Sequence, residues 1–138
     1  MNGCIFCKII AREIPSERVY ENEHVYAFLD IAPVHPGHTL VVPKVHAATL
    51  MEIETTALLK TVELLPSLAK AVMQAMQAKG CNLLQNNGEV AGQTVHHVHF
   101  HIIPRYADDG VLLWPKTAYA SEEEARKIAA EIQKSLSK

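Results

Sequence analysis

The chain has 138 residues, of which 49% are hydrophobic and 20% charged, and its formal net charge is -2. This composition is typical of a folded globular protein and excludes a disordered chain, while the lack of a Lys/Arg run argues against a nucleic-acid polymer as partner. No apolar run approaches the roughly 20 residues of a membrane span, and no secretory signal pattern is present. We therefore expect one domain over residues 1–138, in the cytoplasm, with no membrane partner.

The first predicted elements are β-strands. In residues 19–30, VYENEHVYAFLD, β-branched and aromatic residues flank a polar Glu-Asn-Glu break, which predicts a β-hairpin. The run HTLVVPK, residues 38–44, follows a Pro-Gly turn and predicts a short buried strand.

Helices and strands alternate in the rest of the chain. Residues 54–79 repeat apolar side chains at helical spacing, which predicts a long helix with Gly80 as its C-cap and Pro66 as a kink or division. Two strands follow, over CNLLQNNG and HVHFHIIPR. Ser121 and Glu124 have capping-box spacing and open a predicted amphipathic helix. The order of elements predicts an α+β sheet packed against helices.

Four of the eight histidines lie within residues 96–101. Because side chains alternate across a strand, His97, His99 and His101 should share one face, with neighbours roughly 6.6 Å apart. We refer to these three residues as the histidine row. Three interpretations fit such a row: a catalytic zinc site, a site where one imidazole attacks phosphorus, or histidines with ordinary structural hydrogen bonds.

The loop before the histidine row favours phosphate chemistry. Residues 86–95, NNGEVAGQTV, combine glycines with short polar side chains, so backbone N–H groups can converge on an anion. A loop of this composition alone is weak evidence, because most such loops are only turns.

Two long segments resemble the histidine triad (HIT) family, in particular its Hint-like branch of nucleoside phosphoramidases and related nucleotide hydrolases. They are AGQTVHHVHFHIIPRY and CIFCKIIAREIPSERVYENEHVYAFLDIAPVHPGHTLVVPKVH, and HVHFHII fits the pattern of three alternating histidines followed by two apolar residues. The resemblance implies an antiparallel sheet of about five strands packed against one long central helix and a C-terminal helix. It also implies a homodimer joined through the long helix and an edge strand.

The resemblance implies a hydrolase that releases a purine nucleoside 5'-monophosphate from its leaving group through a nucleotidyl-histidine intermediate. His99 matches the nucleophile of the family, and His101 should bind non-bridging phosphate oxygens. His38 should support the site, and Thr94 should assist the leaving group. The alternative function is a nucleotide-binding interaction or regulatory protein whose hydrolase activity is incidental. The intact histidine row favours the enzyme, and no organic cofactor is expected.

The same resemblance implies a nucleotide-binding site around the histidines. Asp30 should accept hydrogen bonds from the ribose, while Asn86 and Gln93 should lie near the phosphate together with Thr94, His99 and His101. The predicted apolar slot for the base is formed by Ile5, Phe6, Ile9, Phe28 and Ile31.

Cys4 and Cys7 form a C-x-x-C pair, which is typical of half a zinc site, of a redox pair, or of chance. A redox pair is disfavoured because thioredoxin-like motifs follow a strand, whereas this pair opens the chain. Resemblance to zinc-containing bacterial members of the family implies one structural zinc per chain, bound by Cys4, Cys7, His46 and His97. The sequence assigns no role to His24, His35, His96 or Trp114.

Overall fold

The structure, a computed structural model, describes residues 3–112 and 114–136. Its largest element is a five-stranded antiparallel sheet with the strand order β1-β2-β3-β5-β4. The strands are β1 (Arg18–Glu21), β2 (Val25–Leu29), β3 (Thr39–Pro43), β4 (Gly80–Leu84) and β5 (Phe100–Arg105). The α+β class and the antiparallel sheet of five strands are therefore confirmed.

Four α-helices accompany the sheet in the described residues, and a 3-10 turn lies in the loop before β5. Within this part of the chain, no helix has the length and apolar character that crossing a membrane requires. The helices are α1 (Ile5–Ile10), α2 (Thr55–Val62), α3 (Leu65–Ala75) and α4 (Glu122–Leu136).

The predicted hairpin and the predicted buried strand are both confirmed. β1 and β2 pair across a turn in which the side-chain oxygen of Asn22 accepts the backbone N–H groups of His24 and Val25, both at 2.8 Å. Such Asx turns reverse a chain without glycine. β3 pairs with β2 on one side and β5 on the other, and all its residues are buried, which explains its unbroken apolar run.

Pro66 divides the long helix, as the sequence predicts. α2 ends at Val62 and α3 begins at Leu65, so that Pro66 falls in the first turn of α3. A proline is tolerated there because the first backbone N–H groups of a helix have no partner within the helix.

The predicted end of this helix is wrong: α3 stops at Ala75, and Gly80 starts β4 instead of capping the helix. Gln77 adopts a left-handed backbone with φ of 52° and donates to the carbonyl of Gln74. The N–H of Ala78 then donates to the carbonyl of Met73 at 2.9 Å, which completes a Schellman motif. Glycine usually occupies the left-handed position, so a glutamine there gives no sequence signal.

Both faces of the sheet are covered. β2 shows this directly, because Val25 and Ala27 face one apolar cluster while Tyr26 and Phe28 face the other. The first cluster includes Leu65, Leu68 and Val72 of α3, and the second includes Phe6 and Ile9 of α1. Burying each of these larger side chains contributes about 1.5–3 kcal/mol. The short helix α1 is thereby fixed against the sheet.

The strand predicted to begin at His97 is shorter, because β5 starts at Phe100. The ladder between β3 and β5 reaches only the pair of Val41 with Phe100. Before that point the backbone makes other hydrogen bonds. The N–H of His97 donates to the carbonyl of Val95 at 2.9 Å, and the N–H of Val98 donates to the carbonyl of Ala47 at 2.8 Å. His97 and His99 therefore lie in the segment that leads into the strand.

Candidate active site and metal centre

The hydrogen bonding of His99 leaves one ring nitrogen free. Its Nδ1 lies 2.7 Å from the backbone carbonyl oxygen of His97, and a carbonyl can only accept. The neutral ring therefore carries its proton on Nδ1, and Nε2 keeps its lone pair. The ring is buried and packs edge-to-face on Phe6, with centroids 5.0 Å apart. His99 thus presents an unprotonated nitrogen in a fixed orientation.

A chain of hydrogen bonds gives His101 the opposite arrangement. The backbone N–H of Val34 donates to His38 Nδ1 at 3.0 Å, so His38 carries its proton on Nε2. That nitrogen lies 2.9 Å from His101 Nδ1 and donates to it, which leaves the proton of His101 on Nε2. The His99 and His101 rings have centroids 4.9 Å apart. A lone-pair nitrogen and an N–H donor therefore belong to adjacent rings.

Asp30 adds a negative charge to this group. Its Oδ2 lies 3.6 Å from His38 Nε2, and its Oδ1 accepts the backbone N–H of Ala32 at 2.9 Å. Ligand atoms of Asp30, His38 and His101 lie within 4.8 Å of one another, which is close enough for a metal ion. The proton on His38 Nε2 occupies that position, however, so we interpret the trio as a hydrogen-bonded group.

Burial keeps these histidines neutral near pH 7. It lowers the pKa values of His38 and His99, and it lowers the pKa of His101 to about 4 with a smaller contribution from repulsion by His99 and His38. The charge of Asp30 acts in the opposite direction on all three rings. The uncharged form that each tautomer assignment assumes is therefore the dominant one.

A second cluster lies at the other end of the histidine row. Cys4 Sγ is 3.4 Å from His97 Nδ1, Cys7 Sγ is 3.5 Å from His46 Nδ1, and the two Nδ1 atoms are 3.2 Å apart. His97 Nε2 donates to the carbonyl of Pro43 at 2.8 Å, so the Nδ1 that faces the cluster has the lone pair. These four side chains are arranged to hold a metal ion.

The spacing of the four atoms suits a tetrahedral ion. With Zn–S bonds of about 2.3 Å and Zn–N bonds of about 2.0–2.1 Å, tetrahedral geometry gives S···N separations of about 3.5 Å and an N···N separation of about 3.3 Å. The four predicted ligands Cys4, Cys7, His46 and His97 thus meet from three distant parts of the sequence. All four coordination positions would be filled by protein, which is typical of a structural site.

The residues predicted to hold the base differ widely in exposure. Phe6, Ile9 and Phe28 are buried in the second apolar cluster, whereas Ile5 is 44% and Ile31 is 96% exposed. Ile31 therefore does not close the predicted apolar slot for the base in this conformation. An open cavity of about 340 Å³ lies beside α1, and it is lined by Gly3, Cys4, Ile5, His46, Thr94, Val95 and His96.

The loop before the histidine row is held by Gln93. Its side chain is buried, accepts the backbone N–H of Gly88 at 2.8 Å, and donates to the carbonyls of Ala48 at 2.6 Å and Val95 at 3.0 Å. The sequence predicts a nucleotide contact for Gln93, but its amide is occupied in shaping the loop. Thr94 is exposed, and Asn86 lies against Gly92, a glycine with φ of 98°.

Sequence reasoning missed two residues near the site, His35 and Asp109. His35 Nε2 lies 3.1 Å from Asp109 Oδ2, although 74 residues separate the two. Asp109 also pairs with Arg105, four residues earlier. The only sequence signal is this i,i+4 spacing of opposite charges outside a helix, which is too common to identify a site.

Comparison with known proteins agrees with this geometry. The family model described as HIT domain matches residues 11–108. An adenosine 5'-monophosphoramidase of Saccharomyces cerevisiae is 45% identical over 115 residues, which is 82% of this chain and 70% of the yeast protein.

Solved structures show the same fold. A HIT family protein from Bacillus subtilis has a TM-score of 0.89 and 46% identity, and the match covers 96% of both chains. A zinc-bound histidine triad family protein from Mycobacterium smegmatis has a TM-score of 0.76 and 31% identity, with 97% of this chain and 98% of that chain covered.

The lowered pKa of His101 predicts a loss of stability in mild acid. The folded state holds this ring neutral down to about pH 4, whereas the unfolded chain binds the proton below about pH 6.5. The free energy of unfolding should therefore fall between pH 6.5 and 4, with a slope of at most about 1.4 kcal/mol per pH unit from this histidine. Urea unfolding across this range should show a shallower fall for His101→Gln. His24→Gln, on an exposed turn, is the control, and equal slopes for all three proteins would contradict the assignment.

Proposed function

Because the chain belongs to the HIT domain family, we propose that it is a hydrolase that releases a purine nucleoside 5'-monophosphate from its leaving group, with phosphoramidates as the preferred substrates. The observation that carries the proposal is the hydrogen bond from His99 to the His97 carbonyl, which leaves Nε2 unprotonated. The name of the yeast relative, adenosine 5'-monophosphoramidase, supports both the nucleotide and the bond that is cleaved. We also propose that residues 1–138 form one HIT domain.

In the proposed first step, His99 Nε2 attacks the α-phosphorus. A P–N bond to the histidine forms, the bond to the leaving group breaks, and the departing amine takes up a proton from water. The His99 ring gains positive charge as this bond forms, and the His97 carbonyl that accepts its Nδ1–H stabilises that charge. His101, with its proton on Nε2, is placed to donate to a non-bridging oxygen. Thr94 remains the predicted helper of the leaving group.

In the proposed second step, water attacks the same phosphorus, the P–Nε2 bond breaks, and the attacking water releases one proton to the solvent. The nucleoside monophosphate is released, and His99 returns to its neutral form with the proton on Nδ1. An imidazole adduct of phosphorus is reactive enough for this step, and the ring is largely neutral near pH 7, which suits attack. The enzyme therefore needs no organic cofactor in this scheme.

The nucleotide would lie with its phosphate at His99 and His101. The ribose then falls near Asp30, whose Oδ2 is close to His38, and the base lies near α1 with Ile5 as its exposed apolar contact. A nucleotide-binding protein without useful catalysis is the second candidate. It is not favoured, because simple binding does not require two adjacent rings with opposite tautomers.

His99→Ala should abolish turnover and leave nucleotide binding in place, because the loop and the surrounding side chains are retained. Hydrolysis of adenosine phosphoramidate and calorimetric binding of AMP measure the two effects separately. When wild-type protein is mixed with labelled substrate and quenched rapidly without acid, part of the label should remain bound to the protein. His24→Ala is the matched control. A His99→Ala protein within tenfold of wild-type activity would exclude His99 as the nucleophile.

We further propose that the metal of the second cluster is zinc and that its role is structural. Two thiolates and two imidazoles are the donor set that zinc prefers, and the zinc-bound relative from Mycobacterium smegmatis supports the choice. When bound, zinc would join the start of α1 to His46 and His97 as a cross-link. Free cysteines as ligands also agree with the predicted cytoplasmic location.

Purified protein should contain one zinc per chain by elemental analysis. Cys4→Ser with Cys7→Ser should lower the melting temperature markedly, since loss of a structural zinc costs several kcal/mol. Folded protein at low temperature should keep most of its activity. Cys81→Ser, outside the cluster, is the control. Activity that follows zinc content in a protein whose fold is intact would indicate a catalytic metal instead.

We also propose the homodimer that the sequence predicts, joined through α3 and β4. β4 is an edge strand, so its outer backbone groups are available to a second strand. A groove along α3 is lined by Ala69, Met73 and Ala78 among others. No residue of α4 is buried, although Ile128, Ile132 and Leu136 follow one another on one side of that helix. A second copy would cover these apolar surfaces.

Light scattering at micromolar concentration should give about twice the chain mass of 15.3 kDa.

A double substitution, Ile128→Gln with Ile132→Gln, tests whether α4 packs on the partner. It should then raise the dimer dissociation constant at least about tenfold, because burying each isoleucine at the interface contributes about 1.5–3 kcal/mol. The control is Lys127→Gln with Lys134→Gln, on the opposite side of α4. A wild-type monomer would contradict the dimer, and equal effects of both pairs would exclude α4 from the interface.

A further inference from the structure

The carboxylate of Asp109 is held by four hydrogen bonds from Arg105 and from the backbone of its own loop. Arg105 donates to it twice, from Nε to Oδ2 at 2.7 Å and from Nη2 to Oδ1 at 3.0 Å. The backbone N–H groups of Tyr106 and Val111 donate at 3.0 and 3.1 Å, and the side chain is only 6% exposed. Arg105 holds the pKa of Asp109 far below its usual range. We call Arg105 and Asp109 the Asp109 anchor.

His35 is bound to the Asp109 anchor in one orientation. Its Nε2 lies 3.1 Å from Asp109 Oδ2, and because a carboxylate only accepts, the His35 ring donates. The ring also packs edge-to-face on Tyr106, with centroids 5.4 Å apart, and the Tyr106 hydroxyl donates to the carbonyl of Met76 at 2.9 Å. The side chain of His35 is therefore fixed by the end of β5 and the end of α3.

The backbone around His35 makes two of the contacts that orient His38. The carbonyl of His35 accepts the N–H of His38 at 3.0 Å, and the N–H of Val34 donates to His38 Nδ1 at 3.0 Å. Gly37, with φ of 95°, lets this turn lie close to the end of α3, since a Cβ there would overlap with Met76 Cγ. Movement of the turn would remove the donor that sets the tautomer of His38.

We propose that His35 is a positioning residue: bound to the Asp109 anchor, it holds the turn that sets the tautomer of His38 and, through His38, of His101. This inference rests on the proposed function, because it gives His101 an N–H for a phosphate oxygen. His35 itself touches neither the substrate nor the reacting atoms. It acts by keeping the Val34 N–H directed at His38 Nδ1, and thus His101 Nδ1 as an acceptor.

The test compares two substitutions of His35 in the full-length, zinc-containing protein. His35→Gln places an amide N–H near the position of Nε2 and can still donate to Asp109, whereas His35→Phe keeps a planar ring without the donor. His24→Phe is the control for loss of a histidine. Nitrogen chemical shifts of the ¹⁵N-labelled histidine rings report the tautomers directly and require no turnover.

In the wild type and in His35→Gln, the His38 and His101 rings should both carry the proton on Nε2. In His35→Phe, both should show a mixture of tautomers, and kcat should fall roughly tenfold with KM changed less than about twofold, as expected when a transition-state contact is lost. His24→Phe should match the wild type in both measurements.

Three results would overturn the inference. They are a wild-type His38 that carries its proton on Nδ1, unchanged ring shifts in a folded His35→Phe protein, and equal losses in His35→Gln and His35→Phe. The first result needs no variant, so the inference stays testable if His35→Phe does not fold. If the tautomers change as expected but the wild type cleaves no nucleotide conjugate, the proposed function fails and the positioning role of His35 stands.

Discussion

The hydrogen bond from His99 Nδ1 to the carbonyl of His97 is the constraint on which the rest of the site depends. It determines which nitrogen of His99 has the lone pair and where that nitrogen points. His97 is also the buried member of the cluster that it forms with Cys4, Cys7 and His46. Its Nδ1 is directed at Cys4 Sγ, and its Nε2 donates to the carbonyl of Pro43. One residue therefore orients the proposed nucleophile through its backbone and joins the metal cluster through its ring. A metal bound there would fix His99 without contacting the reacting phosphorus.

Helix α1 connects the same two functions through packing. It has only six residues, which is too short for a helix to be stable alone. Phe6 packs edge-to-face on Phe28 at 5.5 Å and on His99 at 5.0 Å, while Cys4 and Cys7 lie at or within its first turns. Burial of Phe6 and Ile9 in the second apolar cluster stabilises this helix, and ligation of a metal by Cys4 and Cys7 would stabilise it further. Loss of either should lower the stability of α1 against the sheet.

The features that the sequence predicts well are local. The hairpin with Asn22, the buried run of β3 and the division at Pro66 each depend on a residue and its near neighbours. The bond that the N–H of Glu124 donates to the Ser121 hydroxyl oxygen, which caps α4, is of the same kind. Motif spacing indicated the histidine row and the pair of Cys4 and Cys7, whereas His46 and His97 joined the predicted ligand set through the family resemblance. The errors have other causes: Gln77 ends α3 in a conformation that usually takes glycine, and β5 starts late because Val98 bonds to Ala47. Partners such as His35 and Asp109 are far apart in sequence, and only the fold brings them together.

The electrostatics of the site favour a neutral resting state and would also suit the charged intermediate of the proposed mechanism. Burial keeps the histidines uncharged, and the carboxylate of Asp30 opposes this effect without overcoming it. In the proposed first step, His99 Nε2 bonds to phosphorus, and positive charge would appear on a ring that already faces the His97 carbonyl and lies in the field of Asp30. The carbonyl and the carboxylate are both in place before that charge would develop, so the protein would not have to reorganise at that moment. A second proton on the buried His99 ring would be unfavourable in the resting state, whereas the proposed phosphoryl adduct would bring its own negative oxygens to the N–H of His101. The low polarity that keeps His99 neutral would therefore also strengthen the interactions that stabilise the proposed adduct.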